Sequence, residues 1–166
     1  MILENKNKAL YEILFQQRNI FLDMFMIIFS VGILGVMANI RIPLWPVPIT
    51  MQTFGVFLIA FFFGSRKGVL TILAYLLAGL FGLGVFSGYN SGFGALIGPT
   101  GGYLVGFIFM ALFVGMMIEK GHGRDKKSVL LLMVIGNLIL YAFGLAGLWM
   151  YLGNVSFFEL LNEISA

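Results

Sequence analysis

The chain has 166 residues, of which 60% are hydrophobic and 10% charged, and its mean hydropathy is +1.01. That is more apolar surface than one water-soluble core can bury, so the composition describes an integral membrane protein. It excludes a disordered tail, a coiled coil and a nucleic-acid module, each of which needs a higher charge density.

In chain order, residues 1–19 form a polar, amphipathic stretch carrying Lys6, Lys8 and Arg18, with no small-residue cleavage site behind an apolar core. They read as an interfacial helix on the cytoplasmic side and not as a signal peptide. A helix that crosses the hydrocarbon needs about 20 mostly apolar residues, so the intervals between charges mark the spans. The first runs over about 20–40, with Asp23 near its start. Pro43, Pro46 and Pro48 deny helical hydrogen bonds to the next stretch, which sets a short second span at about 49–64. Arg66 and Lys67 separate it from a third span at 68–86. The glycine-dense segment from Ser87 to Gly102 closes that span, and a fourth follows at 101–118. A charged connection containing Glu119, Lys120, Arg124, Lys126 and Lys127, in which His122 reads as solvated, precedes a fifth span at 128–150 and a shallow apolar tail. The expected fold is therefore an all-α membrane domain over residues 20–166 with about five transmembrane helices.

If these spans alternate, every basic residue except Arg41 lies on one face of the membrane, which makes the N-terminus cytoplasmic and the protein a multi-pass component of the cell membrane. The proline loop, the glycine loop and the C-terminal tail then face outward, with Trp45 and Trp149 at the outer boundary.

Chemistry is sparse. There is no cysteine and one histidine, so a disulfide framework, a thiolate nucleophile and a histidine metal cluster within one chain are all excluded. No paired carboxylates and no serine with a nearby base can be assembled in the spans, so the chain reads as no enzyme, with no catalytic residue and no metal. The outward loops are the exception. In the first, Pro48, Thr50, Gln52 and Thr53 place neutral hydrogen-bonding groups at a stiffened helix entry; in the second, Asn90, Gly98, Thr100, Gly101 and Tyr103 surround the start of span four. Each set serves either as helix caps and close-packing glycines or as pocket walls; two such loops on one face suit a mostly uncharged small molecule better than an ion. Asn137, with Tyr141 one turn on, is either an interhelical hydrogen bond or a third wall. In span one, Ser30, Gly32, Gly35 and Ala38 thin one side of the helix and permit close approach by another helix, inside this protein or in a partner.

The ordered motifs Arg41-Ile42-Pro43, Pro46-Val47-Pro48-Ile49-Thr50-Met51-Gln52-Thr53, Gly64-Ser65-Arg66-Lys67-Gly68, Tyr75-Leu76-Leu77-Ala78-Gly79, Gly84-Val85-Phe86, Gly98-Pro99-Thr100-Gly101-Gly102-Tyr103 and Gly136-Asn137 closely resemble those of the BioY family, the biotin-binding S components of energy-coupling factor (ECF) transporters. The resemblance runs from span one to the end of span five. It implies biotin uptake, with a lid over 46–53, Asn90 and residues 98–103 near the ureido and thiophane rings, and Asn137 and Tyr141 on the span-five wall. It implies no cofactor in this chain: ATP is hydrolysed by a partner ATPase pair, joined through a transmembrane coupling protein that docks on the face of Ser30, Gly32, Gly35 and Ala38. The family has six spans, the last with a lysine expected to pair with the biotin carboxylate; the present sequence reaches Ala166 before such a helix, which leaves Arg41 as the possible carboxylate partner. The same residues are compatible with an S-component-like protein for another small molecule, or with a shortened membrane protein that associates with itself or with other subunits without transporting. In every case the surroundings are the lipid bilayer, and nucleic acid is no partner.

Overall fold

The computed structural model of the chain describes residues 9–14 and 19–164. The expected interfacial helix of 1–19 falls mostly outside these, as do Lys6, Lys8 and Arg18; what is described of it is a single turn and a half, α1 (Leu10–Leu14). The remaining helices are α2 (Ile20–Asn39), α3 (Gln52–Leu80), the short α4 (Phe93–Ile97), α5 (Gly101–Glu119) and α6 (Lys126–Ile164). Between α2 and α3 two strands of two residues each, β1 (Arg41–Ile42) and β2 (Ile49–Thr50), pair antiparallel with Arg41 opposite Thr50. Among the described residues, four helices are long and apolar enough to cross a membrane: α2, α3, α5 and the 126–153 part of α6.

α3 is bent back on itself. Gly64 takes φ 77° and ψ −169°, a conformation open to glycine and strained for any other residue. A straight helix would put Gln52 and Tyr75 about 34 Å apart, yet their side chains are hydrogen-bonded at 2.7 Å. Likewise, a Cβ on Gly68 would lie 3.3 Å from the Ala60 backbone. The two arms, 52–63 and 65–80, are thus an antiparallel pair joined through one residue. The expectation of a loop at Arg66 and Lys67 is corrected: both lie in the first turn of the second arm. The second arm also stops at Leu80 and not near Phe86, because Gly82 adopts φ 94° and the following residues fold under the helix end. The last helix, expected to finish near Met150, continues to Ile164; nothing in its sequence after 150 breaks it, since glycine is tolerated where proline would not be.

The core lies where the arms of α3 meet α5, with Val56, Ala60, Ile72, Tyr75, Met110, Ala111 and Val114 essentially inaccessible. α2 lies on one side of this pair, inserting Leu34 and Ala38, and α6 on the other. Ser30 and Ala38 therefore face inward, with the Ser30 hydroxyl returned to the Met26 carbonyl at 2.8 Å. Gly35 meets Val85, and only Gly32 of the expected docking face has open space around it. The thin side of this helix is spent on packing within the protein.

One end of the bundle is tied by polar contacts. The Glu119 carboxyl group at the end of α5 accepts from the Ser65 N–H at 2.7 Å and from its hydroxyl at 2.8–2.9 Å. It thereby caps the exposed amides that open the second arm of α3. Replacing Glu119 with alanine should lower the apparent Tm in detergent by several degrees, since a stranded donor costs about 1–3 kcal/mol; thermal melts of Glu119→Ala beside Glu119→Gln check this, the glutamine retaining part of the cap. Nearby, Lys67 pairs with Asp23 at 2.8 Å and lies 4.0 Å above the Tyr11 ring, while the Tyr11 hydroxyl donates to Asp23. Burial, and then the bond to Asp23, push the Tyr11 phenol up to about 12, so it stays a neutral donor at physiological pH and holds α1 against α2 and α3.

Candidate functional site

At the opposite end, the loops between helices enclose a cavity of about 570 Å³, within the roughly 300–1,000 Å³ of small-molecule sites. Its first wall is the proline loop. The β1–β2 ladder, extended by the Met51 N–H to the Ile40 carbonyl at 3.1 Å, holds the loop over the bundle, and Pro48, Thr50, Gln52 and Thr53 all line the cavity. Arg41 joins them from β1. Its guanidinium lies so close to Gly88 that a Cβ there would come within 2.6 Å of it, which places a positive charge at the seam between the two loops.

The second wall is the segment from Leu83 to Thr100. Asn39, at the end of α2, organises it: its side-chain oxygen accepts from the Gly88 N–H at 3.0 Å and the Tyr89 N–H at 2.9 Å, and its amide donates to the Gly35 carbonyl at 2.9 Å. Asn90 faces the cavity while its amide donates to the Ser87 carbonyl at 3.0 Å, so it shapes the turn as well as the wall. Ser87 also lines the cavity, and its hydroxyl is buried without a hydrogen-bond partner among the described residues. A buried hydroxyl left unpaired is costly.

The third wall comes from the helices. Gly98 and Thr100 lead into α5 and line the cavity, the Thr100 hydroxyl leaning on the Ala95 carbonyl at 3.4 Å. Tyr103 of α5 and Tyr141 of α6 meet edge to face, with ring centroids 6.1 Å apart and planes at 88°, giving an apolar aromatic corner with hydroxyl tips. The site therefore combines neutral donors and acceptors, aromatic faces and one guanidinium.

Most of the residues singled out from sequence are brought together here; two are not. Asn137 donates to the Met133 carbonyl of its own helix at 2.8 Å and is not among the residues that line the cavity. Gly101 also lies off the lining: a Cβ there would fall 1.7 Å from the Leu96 carbonyl oxygen, and its contribution is to let α4 fold onto the start of α5. Sequence reasoning passed over Asn39, Tyr75 and Ser87. The first was legible as a helix-terminal asparagine, whose side chain favours loop amides; Tyr75 stood in a family-like motif without an assigned role, and Ser87 carried no local signal.

The model of the BioY family matches residues 8–164. The biotin transporter BioY of Thermotoga maritima is 41% identical over 119 residues, covering 71% of this chain and 69% of that protein. The probable biotin transporter BioY of Lysinibacillus sphaericus is 39% identical over 121 residues, 73% of this chain and 61% of that protein. Among solved structures, the S-component for biotin from an ECF-type ABC transporter superposes with a TM-score of 0.69, covering 76% of this chain and 70% of that one at 24% identity; at that identity the likeness is one of fold.

Proposed function

The chain belongs to the BioY family, and from that premise we propose that it is a multi-pass membrane protein that binds biotin in the cavity between its two loops, as the S component of an ECF-type transporter. The observation that carries this is the chemical make-up of the cavity. Biotin is a neutral cyclic urea fused to an apolar ring, with a carboxylate on a flexible tail. Thr50, Gln52 and Asn90 offer neutral hydrogen bonding, Tyr103 and Tyr141 offer ring surface, and Arg41 offers the one positive charge among the lining residues. The ring system then lies toward α5 and α6, and the tail runs toward the seam at Gly88.

In this reading the two arms of α3 cross the membrane separately, giving five crossings with the N-terminus cytoplasmic. Arg66, Lys67, Lys120 and Arg124 lie at the end of the bundle away from the cavity, and this asymmetry supports an outward-facing site. The coupling protein and ATPase pair supply the energy; no group in the cavity is arranged for hydrolysis. Of the docking face expected on α2, only Gly32 is open, so a partner helix would approach there, along the exposed side carrying Phe25, Ile28 and Phe29.

Equilibrium binding of radiolabelled biotin to the detergent-purified chain tests the reading. Saturable binding that excess unlabelled biotin competes away is expected, and purified, correctly folded protein that takes up no label overturns it.

A further inference from the structure

Tyr75 lies outside the cavity lining, is 1% exposed, and sits beneath the point where the two loops meet. Its hydroxyl contacts two groups from different segments: the Val85 carbonyl at 2.9 Å and the Gln52 side-chain nitrogen at 2.7 Å. A carbonyl only accepts, so the single phenolic proton goes to Val85. The tyrosine oxygen is then left as an acceptor, and Gln52 meets it with an N–H. This decides which way the Gln52 amide faces. With its nitrogen turned to Tyr75, its oxygen is turned to the Thr50 hydroxyl, 3.3 Å away, and Thr50 in turn accepts from the Gln52 backbone N–H at 3.3 Å. A carbonyl oxygen has two lone pairs, so one remains for a donor in the cavity that Gln52 lines. The Tyr75 ring is itself held edge to face by Phe86, centroids 5.4 Å apart at 76°.

We propose that Tyr75 is a positioning residue: by anchoring Gln52 and the Val85 carbonyl together, it commits the Gln52 amide to present an acceptor to the cavity, and so makes the site selective for a ligand bearing an N–H. The inference rests on the biotin reading only for the identity of that N–H, a nitrogen of the ureido ring. Without the Tyr75 hydroxyl the amide is free to turn, and an N–H facing the cavity would repel the ligand's own donor.

Two measurements on Tyr75→Phe, Gln52→Leu and the double variant test this. In the ligand-free protein, the Gln52 side-chain amide, assigned by its loss in Gln52→Leu, should show one strongly hydrogen-bonded N–H in its nitrogen–proton NMR correlation, and Tyr75→Phe should abolish that signature. An unchanged signature overturns the proposal whether or not biotin binds. In the second measurement, biotin is compared with its analogue methylated on the ureido nitrogens. The original chain should prefer biotin by about tenfold or more, Tyr75→Phe should shrink that preference to about threefold or less, and Tyr75→Phe should add nothing in the Gln52→Leu background. Equal weakening of both ligands, or additive losses, makes Tyr75 a core residue only and overturns the proposal. Failure of the original chain to bind either ligand counts against biotin as the ligand, while the amide signature still decides the role of Tyr75.

Discussion

Gly147→Leu is expected to weaken biotin binding at least about a hundredfold and to lower thermal stability with it, a loss of roughly 3 kcal/mol. The reason is the crossing of α5 and α6. A Cβ on Gly147 would stand 2.6 Å from the Gly102 α-carbon and 2.9 Å from its nitrogen, and a Cβ on Gly102 would stand 2.5 Å from the Phe143 carbonyl oxygen. These are contacts of backbone with backbone, which no side-chain rotation relieves; the helices must move apart. The crossing is adjacent to Tyr103 and within two turns of Tyr141, so separation opens the aromatic wall of the cavity. Gly153→Leu on the same helix is the control, since nothing lies within 4 Å of a Cβ there. Biotin titrations and thermal melts of the two variants check the prediction: a Gly147→Leu protein that binds as tightly as Gly153→Leu would show that the crossing does not shape the site.

Arg41→Ala is expected to weaken biotin by about ten- to a hundredfold, the value of a hydrogen bond to a charged group at about 1.5–3 kcal/mol. The same substitution should leave binding of biotinol, in which an alcohol replaces the carboxylate, nearly unchanged. Arg41 is exposed in β1 and borders the cavity at the seam of the two loops, where its planar fork can take a carboxylate in two parallel bonds. Arg41→Lys should recover only part of the affinity, because a lysine presents a point charge without the fork. Competition of both compounds against labelled biotin is the measurement. Equal losses for biotin and biotinol would mean that Arg41 supports the loop, through Gly88 and the pairing with Thr50, and does not meet the carboxylate.

How much of this was legible beforehand depends on the range of the interaction that decides it. Charge-free intervals and prolines are local, so apolar helices, and the loops that interrupt them, could be marked out from the sequence. Contacts between distant segments could not. The bond from Gln52 to Tyr75 and the bonds from Asn39 to Gly88 and Tyr89 join residues that no periodicity connects. A membrane setting removes a further signal. In water an apolar stripe marks the buried face of a helix, but α2 is apolar all round, and lipid is as acceptable a neighbour for Phe25 or Ile28 as the core is for Leu34. The inward orientation of Ser30 and Ala38 was therefore hidden, and Asn137 gave no indication that it would turn back onto its own helix. The reversal at Gly64 was misplaced because Arg66 and Lys67 look like a loop, whereas one left-handed glycine completes the turn before them.

That reversal bears on how the protein enters the membrane. The first arm of α3, residues 52–63, is about 18 Å long, against a hydrocarbon thickness of about 30 Å, and it is preceded by backbone that only surrounding protein can shield from lipid. Alone it is a poor candidate for insertion by its own hydrophobicity. Joined through a single residue to the second arm, it has no slack in which to wait on one side while its partner crosses. In the five-crossing reading the two arms therefore leave the translocation machinery together, as a preformed hairpin, and the step that commits one commits the other.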